Sequence, residues 1–239
     1  MASLVRVELA YGYLLHRRPY RETSVLADIF TADHGRVGIV AKGARRARSP
    51  LRQSLQAFRP MLFSWQGRGE LMNLTAAETR GHVIALDGPA LASGFYANEV
   101  LLRLLPRNDP NETLFDAYER LLAMLRGGHP VEPVLREFEK ELLNALGYGL
   151  ELQRDTQDRP IDAQRRYLYV PETGPVALEE SARATDTTVS GATLIGLANG
   201  DLGDSELIEA KRLMRHLLSQ YLGDKPLMSR ELFRRSRPK

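Results

Sequence analysis

The amino-acid sequence predicts an α+β fold in which a small N-terminal β-domain precedes a helical domain. Three observations support this prediction. Apolar and polar residues alternate over residues 5–80, apolar residues recur at helical spacing from residue 89 onward, and both periodicities are lost over residues 150–190. The chain has 239 residues, of which 43% are hydrophobic, and is therefore long enough for one large or two smaller packed domains.

Five short strands are predicted within the β-domain. In the first strand, Val5, Val7 and Leu9 alternate with polar residues, and a turn is expected at residues 17–19. The other four strands are predicted over residues 25–31, 36–42, 58–65 and 71–78. Glycine turns separate several of them, as at Gly35. Five short strands of this kind are typical of a small barrel or a sandwich, in which the sheet edges are closed or covered.

Three helices are predicted to follow the β-domain. The first begins near residue 89 and ends at Pro106, because proline cannot continue the helix. Asn111 is a suitable N-cap for the second helix, which ends at Gly127. The third runs from about residue 133 to Gly147.

The remainder of the chain is predicted as an irregular insertion and two more helices. The insertion contains a short strand at residues 165–170, and Ser190 caps a short helix after it. Asp204 or Ser205 caps a long final helix that ends at Gly223, and a basic tail follows. The predicted domains are residues 1–80 for the β-domain, 81–149 with 190–239 for the helical domain, and 150–189 for the insertion.

The charge distribution points to a polyanionic partner. The formal net charge is only +3, but residues 1–70 carry +7, residues 71–210 carry −11 and residues 211–239 carry +7. Only five of the 33 basic residues are lysine. The connection between the third and fourth strands is too long for a hairpin and is rich in arginine, as expected of a phosphate-binding loop.

The same sequence excludes several kinds of chemistry and predicts no enzyme, catalytic residue, metal or cofactor. The absence of cysteine rules out disulfides, iron–sulfur clusters and thiolate zinc sites. Neither a Walker-type phosphate loop nor a dinucleotide-binding glycine motif is present, and the five histidines are far apart. The chain has no apolar run long enough for a membrane span and no signal-peptide pattern at its start, so we expect no membrane association and a cytoplasmic location.

Cations along a strand or loop path, combined with aromatic planes, are what a barrel needs in order to bind single-stranded nucleic acid. Tyr20 is the best candidate for an exposed aromatic platform, whereas Tyr11, Tyr13 and Phe58 are expected in the core. The candidate phosphate-binding residues are Arg17, Arg18, Arg36, Lys42, Arg45, Arg46, Arg48, Arg52 and Arg68.

The third predicted helix carries a second, weaker pattern. Arg136 and Lys140 lie one turn apart beside the apolar residues Phe138 and Leu142. Cations at the rim of an apolar patch can receive a short peptide with apolar side chains and a carboxylate. An ordinary amphipathic helix with a solvated rim has the same pattern, and the residues alone favour that interpretation.

Several sequence blocks resemble the RecO family of bacterial recombination mediators. The blocks are the N-terminal stretch from RRPYRETS through VAKGAR to GRGEL, the segment REFEKELLNALGYG, and the segment AKRLMRHLLSQYLGDKPLMSRELFR. The resemblance implies an N-terminal five-stranded OB-fold barrel, an α-helical domain with a small irregular insertion, and no enzymatic activity. It also implies binding to single- and double-stranded DNA, ATP-independent annealing, and association with the nucleoid during repair.

The resemblance further implies three protein partners. These are RecR, the acidic C-terminal tail of single-stranded DNA-binding protein, and, indirectly, RecA, which the family helps to load onto DNA. The family receives the tail in an apolar pocket of the helical domain. Arg136 matches a basic position of that pocket, with Phe138 and Leu142 as walls beside Lys140. Lys211, Arg212 and Arg215 are expected to come close to the helix that bears Arg136.

Some members of this family carry a four-cysteine zinc module in the middle segment, which this chain cannot build because it has no cysteine. Two other functions remain as alternatives at this point. One is an OB-fold protein that binds single-stranded RNA, since the same barrel chemistry would serve RNA. The other is a metal-dependent nuclease whose carboxylates are dispersed in sequence.

Overall fold

A computed structural model describes residues 4–179, 183 and 185–235, and the chain divides into two compact units. The first, here called the barrel unit, contains the described residues up to Gly128 together with those from Leu227 onward. The second, here called the helical unit, contains His129–Pro226. The last four residues of the predicted basic tail and residues 180–182 and 184 of the predicted insertion lie outside the described residues.

Five strands of the barrel unit close into a barrel. The strands are β1 (Val5–Tyr20), β2 (Ser24–Thr31), β3 (Gly35–Ala41), β4 (Met61–Gly67) and β5 (Leu71–Thr79). Their order around the barrel is β1-β2-β3-β5-β4, and only the β3–β5 pair is parallel. This arrangement confirms the predicted five-stranded OB-fold barrel within an α+β protein.

Alternate residues of the strands fill the barrel interior. Ile29 of β2 and Ile39 of β3 are fully buried, as are Phe63 and Trp65 of β4. β2 differs from the other strands because every one of its residues is buried. Both faces of β2 are therefore covered, one by the barrel interior and one by helices.

The predicted turn at residues 17–19 is wrong. β1 continues through Pro19, which pairs with Val25, and the turn lies one step later, after Tyr20 pairs with Ser24. At Pro19, β1 pairs with β2 alone, and such an edge position tolerates the missing N–H of proline. Arg21 begins the true turn with a left-handed backbone, φ 52°.

Helices α2 (Gly88–Leu104), α3 (Glu112–Arg126) and α7 (Ser229–Arg235) complete the barrel unit, together with the short α1 (Pro50–Ser54) in the β3–β4 connection. α3 lays two aromatic rings against the outer face of the barrel. The Phe115 ring centroid lies 5.2 Å from that of Phe30, and the Tyr118 centroid lies 5.4 Å from that of Tyr13. These rings cover the outer face of β2 and the adjoining part of β1.

A polar cluster fixes the same contact between β1 and α3. The hydroxyls of Tyr11 and Tyr13 both donate to the carboxylate of Glu119, the latter at 2.7 Å. Burial, together with the hydrogen bonds to these neighbours, raises the pKa of Tyr13 well above its usual value. Both tyrosines are therefore structural; Tyr13 is buried as predicted, whereas Tyr11 is only half-buried.

The helical unit combines three helices with a three-stranded sheet. The helices are α4 (Val131–Ala145), α5 (Gly191–Asn199) and α6 (Asp204–Leu222), and the strands are β6 (Arg166–Val170), β7 (Gly174–Ala177) and β8 (Thr188–Ser190), in the order β7-β6-β8. β6 confirms the strand predicted within the insertion. Tyr167, Tyr169 and Val189 are buried, so this sheet has a packed face of its own.

Two of the three predicted helix caps are confirmed. The side chain of Asn111 accepts from the N–H of Leu114 at 2.9 Å, and the side chain of Ser190 accepts from the N–H of Thr193 at 3.2 Å. The cap predicted at Asp204 or Ser205 is wrong, because Gly203 occupies the N-cap and makes no side-chain bond. α6 does end at Gly223, whose φ of 67° suits glycine.

The compact units divide the chain after residue 128, whereas the sequence predicts a domain boundary after residue 80. The difference arises because α2 and α3 pack on the barrel. Within the described residues, no helix is long and apolar enough to cross a membrane.

A buried hydrogen-bond chain joins α3, α2 and β1, and we predict that breaking it lowers the stability of the barrel unit. The Tyr118 hydroxyl donates to Asn98 Oδ1 at 2.7 Å, and Asn98 Nδ2 donates to the carbonyl of Leu15 at 3.1 Å. Tyr118→Phe leaves the Asn98 oxygen buried without this donor, which should lower the free energy of unfolding by about 1–3 kcal/mol in urea titrations. Tyr148→Phe, at an exposed ring, is the control, and equal losses in both variants would contradict the prediction.

Candidate nucleic-acid interface and peptide site

The β3–β4 connection is a loop whose apolar residues are anchored and whose basic residues are exposed. Ala44 and Leu55 are buried against the barrel core. The exposed basic residues of the loop are Lys42, Arg45, Arg46, Arg48 and Arg52. We refer to these five as the arginine loop. Because both ends of the loop are fixed by apolar contacts, its charges are presented on an ordered segment.

Hydrogen bonds hold the arginine loop beside the turn between β1 and β2. The N–H of Arg45 donates to the carbonyl of Thr23 at 2.9 Å, and its guanidinium donates to the carbonyls of Arg21 and Glu22 at 3.0 and 3.1 Å. The guanidinium of Arg17 reaches the carbonyl of Arg52 at 3.4 Å. The structure thus brings the basic end of β1, with exposed Arg17 and Arg18, next to the loop.

Tyr20 lies in the same region and is half-buried. The guanidinium of Arg21 lies 5.2 Å from the centre of its ring, a cation–π contact. An aromatic face beside exposed cations is the arrangement on which unpaired bases stack.

Arg68 is not brought to this surface. It is exposed in the turn between β4 and β5, where Gly67 pairs with Val5 at the start of β1. The arginine loop lies at the other end of β1, beyond Arg17. The sequence predicts both as phosphate contacts, but the barrel separates them along its longest strand.

Arg36 is placed differently from what the sequence predicts. Its guanidinium lies 3.4 Å from the carboxylate of Asp28, and Arg107 lies 3.1 Å from the same carboxylate oxygen. Burial lowers the pKa of Arg36. The negative charge of Asp28 opposes this shift, and the positive charge of Arg107 adds to it. Arg36 therefore belongs to an ion-pair cluster on the barrel wall rather than to the exposed surface.

Arg107 was missed by the sequence analysis, and no local pattern identifies its partner 79 residues away. Gly38 makes room for it, because a Cβ at that position would lie 2.4 Å from Arg107 Nη1. The N–H of Asn108 donates to the carbonyl of Arg36 at 2.9 Å, which fixes the connection after α2 on β3.

The predicted peptide site on α4 is mostly buried. Phe138 and Leu142 lie in the core of the helical unit, and Arg136 is only 4% exposed. Arg136 Nη2 donates to Glu139 at 2.9 Å, whereas its Nε and Nη1 have no hydrogen-bond partner among the described residues. Lys140 donates to the carbonyl of Leu197 at 2.8 Å. Phe138 and Leu142 are therefore core residues, and their predicted role as walls of a peptide pocket stays a prediction.

One of the three predicted basic residues of α6, Lys211, contacts α4. Lys211 pairs with Glu132 in the first turn of α4, with 2.5 Å between Nζ and Oε1. Leu143 and Leu217, near the other ends of the two helices, line one cavity of about 70 Å³. α4 and α6 thus run side by side in the same direction, and Arg136 and Arg215 each lie one turn after the paired residues.

Of the three basic residues predicted on α6, only two are exposed to a ligand. Arg215 and Lys211 are exposed. Arg212 is tied to the sheet, since its guanidinium donates to the carbonyls of Asp186 and Thr188 at 3.1 and 2.6 Å. The same cavity is also lined by Tyr148 and Tyr221, whose rings stack 4.0 Å apart, and by residues of the segments 149–151 and 169–174, which include Glu151 and Glu172.

Comparison with known proteins identifies the family. The family model described as "Recombination protein O N terminal" matches residues 6–82, and the one described as "Recombination protein O C terminal" matches residues 85–231. The chain belongs to the RecO family. The matches to the two family models meet between residues 82 and 85, close to the domain boundary that the sequence predicts after residue 80.

Individual RecO proteins match nearly the whole chain. The "DNA repair protein RecO" of Nitrosococcus oceani is 50% identical over 230 residues, which is 95% of this chain and 93% of the relative. The protein of the same description from Nitrosospira multiformis is 45% identical over 231 residues, 96% of both chains. RecO membership supports a role in DNA repair and recombination.

The described residues contain no group of three or more His, Asp or Glu side chains arranged to hold a metal ion. The sheet of β6, β7 and β8 is held by strand pairing and by packing of its buried residues. In the loop before this sheet, Asp155 accepts from Arg159 at 2.8 Å.

Because Arg36 is held in an ion pair, we predict that Arg36→Ala changes stability rather than DNA affinity. Losing a partly buried charged hydrogen bond should lower the free energy of unfolding by about 1–2 kcal/mol. The salt dependence of DNA binding, measured by fluorescence anisotropy, should remain that of the parent chain. Arg48→Ala is the matched comparison, and it should show the reverse pattern. A reduced salt slope in Arg36→Ala would restore Arg36 as a phosphate contact.

Proposed function

We propose that this protein is a non-enzymatic recombination mediator that binds single- and double-stranded DNA and anneals single strands without ATP. The observation that carries the proposal is the arginine loop, held by Arg45 against the β1–β2 turn on a closed barrel of the RecO family. We place this activity in the cytoplasm, at the nucleoid during repair.

The DNA interface that we propose combines the loop with the end of β1. Its members are Arg17, Arg18, Lys42, Arg45, Arg46, Arg48 and Arg52. Arginine suits this role because its planar guanidinium bonds phosphate oxygens in pairs and also stacks on bases. Like charges so close together repel one another, and a phosphate backbone relieves that repulsion. Tyr20 supplies an aromatic face at the edge of the interface.

The salt dependence of binding tests this interface. Arg46→Ala with Arg48→Ala removes two exposed cations and leaves Arg45, which holds the loop, in place. The slope of log affinity against log salt concentration should become shallower by about 1.4 for single-stranded DNA, since each phosphate contact contributes about 0.7. Measurements on one oligonucleotide between low and moderate salt give this slope.

Arg120→Ala with Arg126→Ala is the control, because both residues lie on α3 in the same unit and Arg120 is exposed. The control variant should keep the slope of the parent chain. Equal changes in the two double variants, or none in the loop variant, would remove the loop from the DNA interface.

We further propose that the helical unit binds the acidic C-terminal tail of single-stranded DNA-binding protein. Lys211 and Arg215 form an exposed pair on one face of α6. On the neighbouring helix α4, buried Arg136 carries two N–H groups without a partner among the described residues, and a carboxylate would satisfy such groups. The cavity lined by Leu143, Leu217 and the stacked tyrosines offers apolar side chains beside polar ones, which include Glu151, Glu172 and Thr173.

This tail site completes a mediator scheme with two other partners. The proposed protein acts with RecR and helps to load RecA onto DNA that the single-stranded DNA-binding protein has coated. Binding to the tail brings the mediator to coated DNA, and the arginine loop then engages the strand itself. Neither step requires ATP or a metal.

Charge reversal on α6 tests the tail site. Lys211→Glu with Arg215→Glu should weaken binding of an acidic peptide that ends in an apolar residue at least tenfold, because attraction becomes repulsion. DNA affinity should change less, since the arginine loop is intact. Arg165→Glu, exposed elsewhere on the helical unit, should leave peptide binding nearly unchanged. Similar losses of peptide and DNA binding in the α6 variant would mean that these residues contact DNA.

A further inference from the structure

The N-terminal half of β1 is an exposed sheet edge. β1 pairs with β4 from Val5 onward, whereas its pairing with β2 begins only at Gly12. Among the described residues, no strand pairs with residues 5–9 on the side that β2 occupies further along β1. A row of backbone N–H and C=O groups therefore faces solvent there, and such a row can pair with a strand of another molecule.

The side chains of this edge are exposed, although several of them are apolar. Leu4 is 60% exposed and Leu9 is 52% exposed, and Val5 is exposed as well. β1 is bulged here, and Leu9 has a φ of 54°, which bulky residues rarely adopt. The N–H of Leu9 donates to the hydroxyl of Ser64 in β4 at 3.0 Å, which holds the bulge in place. The segment thus carries apolar side chains into solvent on an ordered strand.

The charges on the same segment are arranged for pairing with a second copy of the chain. Arg6 and Glu8 lie on one face of the strand, since Arg6 Nη2 lies 2.6 Å from Glu8 Oε1. In an antiparallel pair of two such strands, with Val7 opposite Val7, Arg6 of each copy lies opposite Glu8 of the other. The same register brings Val5 of each copy opposite Leu9. Opposite charges and apolar side chains that face each other across strands stabilise the pair.

The barrel leaves room for this register. β2 begins to pair at Gly12, five residues after Val7, so the two copies of β2 lie beyond opposite ends of the paired segment. β4 lies on the far side of β1 in each copy, and the joined sheet has the order β4-β1-β1-β4. Because both copies use the same edge, the pair is closed and leaves neither edge free for a further strand.

We propose that the protein forms a two-fold dimer through residues 5–9 of β1, paired antiparallel with Val7 on the axis. This dimer goes beyond the proposed DNA binding and does not depend on it. Because the shared ladder is short, the interface is small and the dimer is weak and reversible. Each copy keeps its own arginine loop at the other end of β1, so the dimer offers the two DNA sites that annealing of two strands requires.

Charge reversal within the edge tests the dimer and its register. Arg6→Glu and Glu8→Arg each place like charges opposite one another twice in the dimer, and each should raise the dissociation constant of the dimer at least tenfold. An equal mixture of the two variants should associate about as well as the parent chain, because each strand then meets the opposite charges. An ion pair that matters only within one chain cannot produce this rescue. Sedimentation equilibrium of the full chain, from micromolar to millimolar concentration and at low salt, gives the constants.

Arg120→Glu is the control, because this residue is exposed on α3 in the same unit. It should leave the dissociation constant of the parent chain unchanged. A parent chain that is monomeric at every concentration would overturn the proposal, and so would a dimer that both edge variants preserve. If the parent is monomeric but Arg6→Glu abolishes its binding to RecR, the edge belongs to that partner and not to a second copy.

Annealing of complementary strands tests what the dimer contributes. Arg6→Glu should keep the DNA affinity and salt slope of the parent, since the arginine loop is untouched, while the annealing rate falls at least about threefold because two bound strands are no longer held together. Mixing with Glu8→Arg should restore the rate. Lost association with an unchanged annealing rate would overturn this role of the dimer. Lost DNA binding in the Arg46→Ala, Arg48→Ala variant, whose dimer should persist, concerns the loop alone and separates the two proposals.

Discussion

The packing of α2 and α3 on the outer face of β1 and β2 is the constraint on which the barrel unit depends. It buries β2 on both sides, and it commits Tyr11 and Tyr13 to Glu119 rather than to nucleic acid. The covered face is closed to ligands, so the candidate interface lies at the strand ends and in the loop. The same packing makes α2 a support for α7. Glu99 of α2 accepts a hydrogen bond from the N–H of Ser229 at the start of α7, and the preceding residue, Asn98, donates to the carbonyl of Leu15 in β1.

Much of this fold follows from local sequence patterns, since the strands and helices have clear periodicity and two of the helices have side-chain N-caps. Asn111 and Ser190 act as local chemistry predicts, because each needs only a backbone N–H three residues away. The turn at residues 17–19 was mispredicted for a nonlocal reason. The pairing of β1 with β2 decides where β1 ends. The two arginines and the proline at residues 17–19 take part in that pairing and do not interrupt the strand.

The candidate sites show the same limit more strongly. Charge counting located the arginine loop because exposed cations need no partner to be recognised. It failed for Arg36, because its partner Asp28 lies on the neighbouring strand and Arg107, which shares that carboxylate, comes from a distant segment. Arg136 is an intermediate case. Its partner Glu139 lies three residues on, so the spacing of opposite charges was visible, but its burial depends on how the helical unit packs around α4.

The bonds from Arg45 to the β1–β2 turn have a consequence for the thermodynamics of recognition. A free loop would lose its conformational entropy each time it closed on a strand, at roughly 0.5–1.5 kcal/mol for each ordered side chain. Here the backbone and guanidinium of Arg45 impose that order during folding. For the DNA interface that we propose, this means a preorganised surface whose binding depends on counterion release rather than on loop rearrangement.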